Sequence, residues 1–110
     1  MKKGDLWIIE FPTRKGREQS GKRPSIIMAD TNTNLVLVIP LTSNLEALEK
    51  FPYTIEIKKS DLNKLEKDSV ALVFQLQAVD KKRLHNKFGK IEDFYLDNVD
   101  IKLKHIFGLK

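Results

Sequence analysis

A polar loop bounded by glycines, Gly16 to Pro24, opens directly into an apolar run, Ile26, Ile27, Met28 and Ala29. Pro24 fixes its own φ and disfavours a helical Arg23, so the chain enters that run extended. Ser25 to Ala29 reads as one strand, Asp30-Thr31-Asn32-Thr33-Asn34 as a turn, and Leu35 to Ile39 as the returning strand, which Pro40 is expected to end. An antiparallel pair joined by its turn brings its two free ends together. Arg23 enters that hairpin and Thr42 leaves it at the same end, so the two can share a site without further assumption. Catalytic side chains are commonly carried on loops held by such scaffolds, although the same loop also reads as a solvated connection whose charges keep it soluble.

The rest of the chain is mainly β. Asp5 to Phe11 alternates Leu6, Ile8 and Glu10 with Trp7, Ile9 and Phe11, a strand apolar on both faces. Asn44 to Lys50 has the makings of a short helical turn capped by Ser43 or Asn44. Tyr53, Ile55 and Ile57 mark a half-exposed strand, and Ser60 to Lys67 a turn or short helix. Ser69 to Val79 reads as the longest strand, with Gln75 and Gln77 together on one face. A loop containing His85 and Gly89 follows. Ile91, Tyr95, Val99, Leu103 and Ile106 then recur at helical spacing, with Glu92 and Asp93 at the start and Lys102, Lys104 and His105 near the end, as the helix dipole favours. Gly108 is the expected terminator. The expectation is one domain over residues 1–110: five or six short strands in a small twisted barrel or sheet, closed by a C-terminal helix.

Charge narrows the partners. The net charge is +5, and residues 1–23 hold seven Lys or Arg against three acids, so most of the excess gathers around the first strand and the loop. Such a surface suits a polyanion or an acidic peptide. With no cysteine in the 110 residues, disulfides and thiolate metal sites are excluded. No apolar run approaches the roughly 20 residues of a membrane span, and no secretory apolar region follows Lys2 and Lys3, so a cytoplasmic location is expected. His85 and His105 lack ligand spacing; His85 reads as a solvated loop residue and His105 as a helix-end residue. Ser20 and Ser43 have no evident His partner for nucleophilic catalysis.

Five short motifs occur in order: Gly4-Asp5-Leu6-Trp7; Glu18-Gln19 with Arg23-Pro24; Pro40-Leu41-Thr42-Ser43; Ser69-Val70; and Gln75 followed by Ala78-Val79-Asp80-Lys81-Lys82-Arg83-Leu84. In that order and spacing the chain resembles the MazF/PemK-like toxins of bacterial toxin–antitoxin systems. The resemblance covers nearly the whole chain and implies an SH3-like β-barrel of the PemK type. It also implies a metal-independent, cofactor-free endoribonuclease that cuts single-stranded messenger RNA through the neighbouring 2′-hydroxyl, leaving a 2′,3′-cyclic phosphate and a 5′-hydroxyl.

Under that resemblance Arg23 matches the family's loop arginine and Thr42 its active-site threonine. A guanidinium suits a phosphorane because its planar donors match two phosphate oxygens and it stays charged. Glu18 is the nearby carboxylate that could act as base, though it could equally pair with Arg17 or Lys22. Arg14, Lys15, Arg17, Gln19, Lys22, Ser43, Gln75 and Gln77 are the expected RNA-binding residues. A homodimer is expected because the first strand carries more apolar surface than one small core readily covers. The expected regulator is a cognate antitoxin whose flexible acidic tail folds onto the basic loop.

The sequence departs from many relatives at two places. Phe74 stands where they carry an acid, and Gln77 where they carry an arginine on which a subset relies for catalysis. Two other classes stay open: a non-catalytic gyrase poison of CcdB type on the same barrel, or a plain nucleic-acid-binding barrel. The latter calls for exposed aromatics among bases, whereas Trp7, Phe11, Phe51, Phe74 and Phe94 are expected mostly at core-facing positions.

Overall fold

The computed structural model describes residues 1–12 and 21–110. Seven strands form one antiparallel sheet: β1 (Asp5–Phe11), β2 (Gly21–Asp30), β3 (Leu35–Thr42), β4 (Thr54–Ile57), β5 (Ser69–Leu72), β6 (Gln77–Asp80) and β7 (Leu84–Lys90). The order is β4-β5-β3-β2-β1-β7, with β6 also paired to β3. Among the described residues there are two α-helices, the single turn α1 (Ala47–Lys50) and the long α2 (Asp93–Phe107). The mainly-β class with a C-terminal helix is as expected; among the described residues the sheet does not close into a full barrel.

The expected hairpin is β2–β3, in a longer form. β2 begins at Gly21, so Arg23 and Pro24 lie within the strand rather than ahead of it. Pro40 does not end β3, which continues to Thr42. The reason lies in its neighbour: the β6 ladder stops at Val38–Gln77 and the β5 ladder starts at Leu41–Ala71. Pro40 therefore sits opposite an interruption, where a missing N–H costs no ladder bond.

That interruption is a 3₁₀ turn, Val73–Gln75, which splits the long strand expected over Ser69–Val79 into β5 and β6. The turn is tied to the α1–β4 connection by Val73 N–H donating to the Tyr53 carbonyl at 3.1 Å. The pairing to β3 shifts there by three residues, the length of the turn, and Phe74 faces outward. The segment after Arg83, expected as a loop, is the edge strand β7, paired to β1 through two register shifts. Those shifts and its polar sequence hide the strand period.

Apolar side chains occupy both faces of the sheet, as the first strand's composition implied. Leu6, Ile26, Ile39, Leu41 and Ile57 are fully buried under α2, whose Val99 is buried and whose Tyr95, Leu103 and Ile106 pack alongside. Ile9, Phe11, Ile27, Val36, Val38 and Val79 form a second cluster, flanked by Trp7 and Leu84. Each such fully buried Ile or Leu contributes roughly 1.5–3 kcal/mol relative to exposure. Three of the five apolar residues that suggested a dimer, Leu6, Ile9 and Phe11, are thus covered within one chain.

α2 ends as read from the sequence. Gly108 adopts φ 67° and donates its N–H to His105, while Leu109 N–H reaches the Lys104 carbonyl at 2.8 Å. Among the described residues no helix is long and apolar enough to cross a membrane.

Candidate active site

The β2–β3 ladder pairs Ser25 with Pro40. Continuing that register two residues outward puts Arg23 opposite Thr42. Both side chains are half-buried and line one pocket of about 290 Å³. Its floor is Ala47 and Leu72, and its remaining walls are Asn44, Lys50 and Phe51. On its other edge β2 pairs with β1, where Arg23 lies opposite Ile9.

The loop after β3 organises the rim. Thr42 Oγ1 accepts from Asn44 N–H at 3.2 Å, and Asn44 Oδ1 accepts from Glu46 N–H at 3.1 Å, starting α1. One helical turn later, Lys50 arrives at the same pocket, while its Nζ lies 3.4 Å from exposed Glu46. The described walls thus carry a guanidinium, an ammonium, a hydroxyl and an amide, and no carboxylate. That set suits an anion with several oxygens, such as a phosphodiester.

The next residues in the chain after Arg23 and Thr42, Pro24 and Ser43, line a second groove of about 460 Å³ with Ile8, Lys64, Lys67, Asn86 and Phe88 among its other walls. Ser43, expected beside Thr42, lies just past the end of β3 and lines this neighbouring groove instead. Lys22 is exposed near the start of β2. Gln75 sits in the 3₁₀ turn and Gln77 on β6; Gln77 Nε2 donates to the Gln75 carbonyl at 3.0 Å, and neither residue lines the pocket of Arg23 and Thr42. Arg14, Lys15, Arg17, Glu18 and Gln19 lie outside the described residues.

Asn44, Lys50 and Phe51 were missed by sequence reasoning. The available signal was the expected turn after Thr42, which must fold its last residues back toward the hairpin end. Two other readings need correction. Phe51, Phe74 and Phe94 are exposed rather than core-facing, at 44%, 37% and 60%. His85 is on β7 rather than in a loop, with Nε2 3.0 Å from Glu10 Oε1. That hydrogen bond, aided by the nearby charges of Lys22 and Arg83, holds the Glu10 carboxyl below its usual range. Among the described residues there is no cluster of three or more His, Asp or Glu side chains arranged to hold a metal ion.

The family model for the PemK-like, MazF-like toxin of type II toxin–antitoxin systems matches residues 2–107. The chain belongs to this family. The toxin is 33% identical, over 99% of its own length and 92% of the relative's, to Endoribonuclease MazF of Staphylococcus saprophyticus. Its fold matches that of MazF from Deinococcus radiodurans with a TM-score of 0.79 at 22% identity, covering 99% of this chain and 97% of that one. A mycobacterial endoribonuclease in complex with its cognate antitoxin matches with a TM-score of 0.68 at 14% identity, covering 98% and 93% of the two chains.

Proposed function

We propose that this toxin is a metal-independent endoribonuclease acting on single-stranded messenger RNA in the cytoplasm. The observation that carries the reading is the meeting of Arg23 and Thr42 in one cationic pocket. A ribose 2′-oxygen attacks the adjacent phosphorus, and the bond to the 5′-oxygen breaks. The products are a 2′,3′-cyclic phosphate and a 5′-hydroxyl. The 2′-proton passes to a base, for which Glu18 is the proposed group, and a proton is returned to the leaving oxygen. Arg23 holds the two non-bridging oxygens as charge builds on the phosphorane, the kind of fixed donor that supplies large catalytic terms. Thr42 donates its hydroxyl to the same phosphate while its lone pair accepts from Asn44 N–H. Lys50 adds charge at the rim, and Arg14, Lys15, Arg17, Gln19 and Lys22 guide the strand toward it.

The proposed working unit is a homodimer controlled by an antitoxin with a flexible acidic tail. The half-buried Trp7 and Ile8, with exposed Phe94 and Ile101, support a second copy, and the basic loop supports an acidic peptide. The test is cleavage of a long single-stranded transcript by the full chain with EDTA present, and its inhibition by a synthetic acidic tail. Cuts that persist in EDTA and carry cyclic-phosphate ends support the reading. Loss of cutting in EDTA, or an intact transcript, overturns it. Sedimentation of a monomer that still cuts removes the dimer.

A further inference from the structure

Beside the Arg23–Thr42 pocket lies an aromatic pair that the mechanism does not use. Phe51 is the residue that ends α1, and Phe74 is the middle residue of the 3₁₀ turn. Their ring centroids are 5.2 Å apart and the planes are tilted by 34°. Both rings face solvent to a large degree, and neither belongs to the buried clusters of the core. Phe51 is also a wall of the pocket.

We propose that Phe51 and Phe74 form a stacking subsite for an unpaired nucleobase of single-stranded RNA, next to the phosphate held by Arg23 and Thr42. The proposal rests on the ribonuclease reading, and it names what that site grips beyond the phosphate. Three observations carry it. The platform is fixed from both sides: Phe51 N–H donates to the Ala47 carbonyl at 3.1 Å, and Val73 N–H ties the turn to Tyr53 at 3.1 Å. Ala47 and Leu72, which line the same pocket as Phe51, are buried with Val70 in a small cluster against which Leu48 packs. Beside it, Lys50 and Arg23 supply the positive charge that a strand's backbone needs, continuous with the pocket.

A base has a π-face whatever its identity, so this platform selects strands with unstacked bases over duplexes and fixes the nucleotide beside the cut. Pre-ordered rings limit the entropy lost when the strand is gripped. The 3₁₀ turn gains a purpose in this light. A continuous strand would alternate Phe74 onto a face of the sheet, whereas the turn sets it beside Phe51 at the pocket's edge.

The experiment uses the full chain, a fluorescein-labelled 2′-deoxy single strand of random sequence for binding, and a long single-stranded RNA transcript for cleavage. Phe51→Ala and Phe74→Ala should each weaken binding of the single strand by about 5- to 150-fold, the range that alanine substitution at stacking sites gives. Phe51→Tyr should retain binding, because the π-face remains. Phe51→Leu should behave like Phe51→Ala, which separates stacking from simple apolar cover; its thermal midpoint checks that the fold is intact. Binding of either alanine variant or of the folded leucine variant at wild-type strength overturns the subsite. So does equal wild-type affinity for the strand and its duplex. A wild type that binds with the expected ring dependence but cuts no RNA keeps the subsite and removes the ribonuclease reading. Wild-type cutting that both alanine variants match does the reverse.

Discussion

A Cβ added to Gly89 on β7 would lie 2.3 Å from the backbone oxygen of Asn63. That contact is with backbone, so neither side can yield by turning a side chain. Gly89→Ala should push the β4–β5 connection away from the sheet edge and cost roughly 1–3 kcal/mol, the usual scale of overpacking. A thermal melt of the purified variant checks this. An unchanged midpoint would show that the close approach is not maintained in solution.

Asn63 is itself the hub of that connection. Fully buried, its Oδ1 accepts from Ser60 and Leu65 N–H, and its Nδ2 donates to the Lys58 carbonyl and Glu92 Oε1. Asn63→Leu leaves several of those groups without partners, each costing about 1–3 kcal/mol when buried. Urea denaturation should show a large loss of stability. Glu92→Gln, which keeps an acceptor in place, should lose much less.

Two exposed carboxyls set an acid limit. His85 holds Glu10 down by its hydrogen bond, and Lys81, 2.6 Å away, does the same for Asp30 with help from Asn32 N–H. A carboxyl lowered in the folded state adds stability above its unfolded pKa and loses it as pH falls through the lowered value. The midpoint difference between wild type and Glu10→Gln should therefore be present near neutral pH and vanish in acid. It should also shrink in salt, since both partners are solvent-exposed. A difference that persists below the range in which both the folded and the unfolded carboxyl are protonated would contradict the assignment.

Lys50 offers an electrostatic test of the pocket. Binding of a single strand should weaken with salt at a log–log slope near −0.7 per phosphate neutralised. Lys50→Ala should make the slope shallower by about 0.7 or a fraction of it. The same slope in both proteins would place the strand's path away from α1.

The β2–β3 hairpin was legible because short-range rules govern it. Pro24 extends Arg23, a polar turn follows, and antiparallel pairing returns Thr42 to the starting end. α2 was equally legible, because its stripe and Gly108 are local signals. What failed depended on neighbours. Pro40 was expected to end β3, but whether a proline breaks a strand depends on the partner opposite it. Phe74 was assigned by alternation, and one 3₁₀ turn anchored by Tyr53 reversed its exposure. β7 was hidden because its pairing to β1 shifts register twice. At the site, Arg23 and Thr42 could be named from residue type and motif. Lys50 and Phe51 could not, because a four-residue helix carries too little pattern to orient its side chains.

The central claim is that Arg23 and Thr42 act together on one phosphate. The most direct measurement is single-turnover cleavage of a single-stranded transcript, with end-group analysis, by wild type, Arg23→Ala, Arg23→Lys and Thr42→Ala. Wild type should leave 2′,3′-cyclic phosphates and 5′-hydroxyls. Arg23→Ala and Thr42→Ala should each lose roughly 100-fold or more in rate, as removal of one fixed transition-state donor does, with thermal midpoints near that of wild type. Arg23→Lys should fail nearly as badly, because a point charge does not reproduce the guanidinium fork. Cleavage by both alanine variants at the wild-type rate would contradict the account.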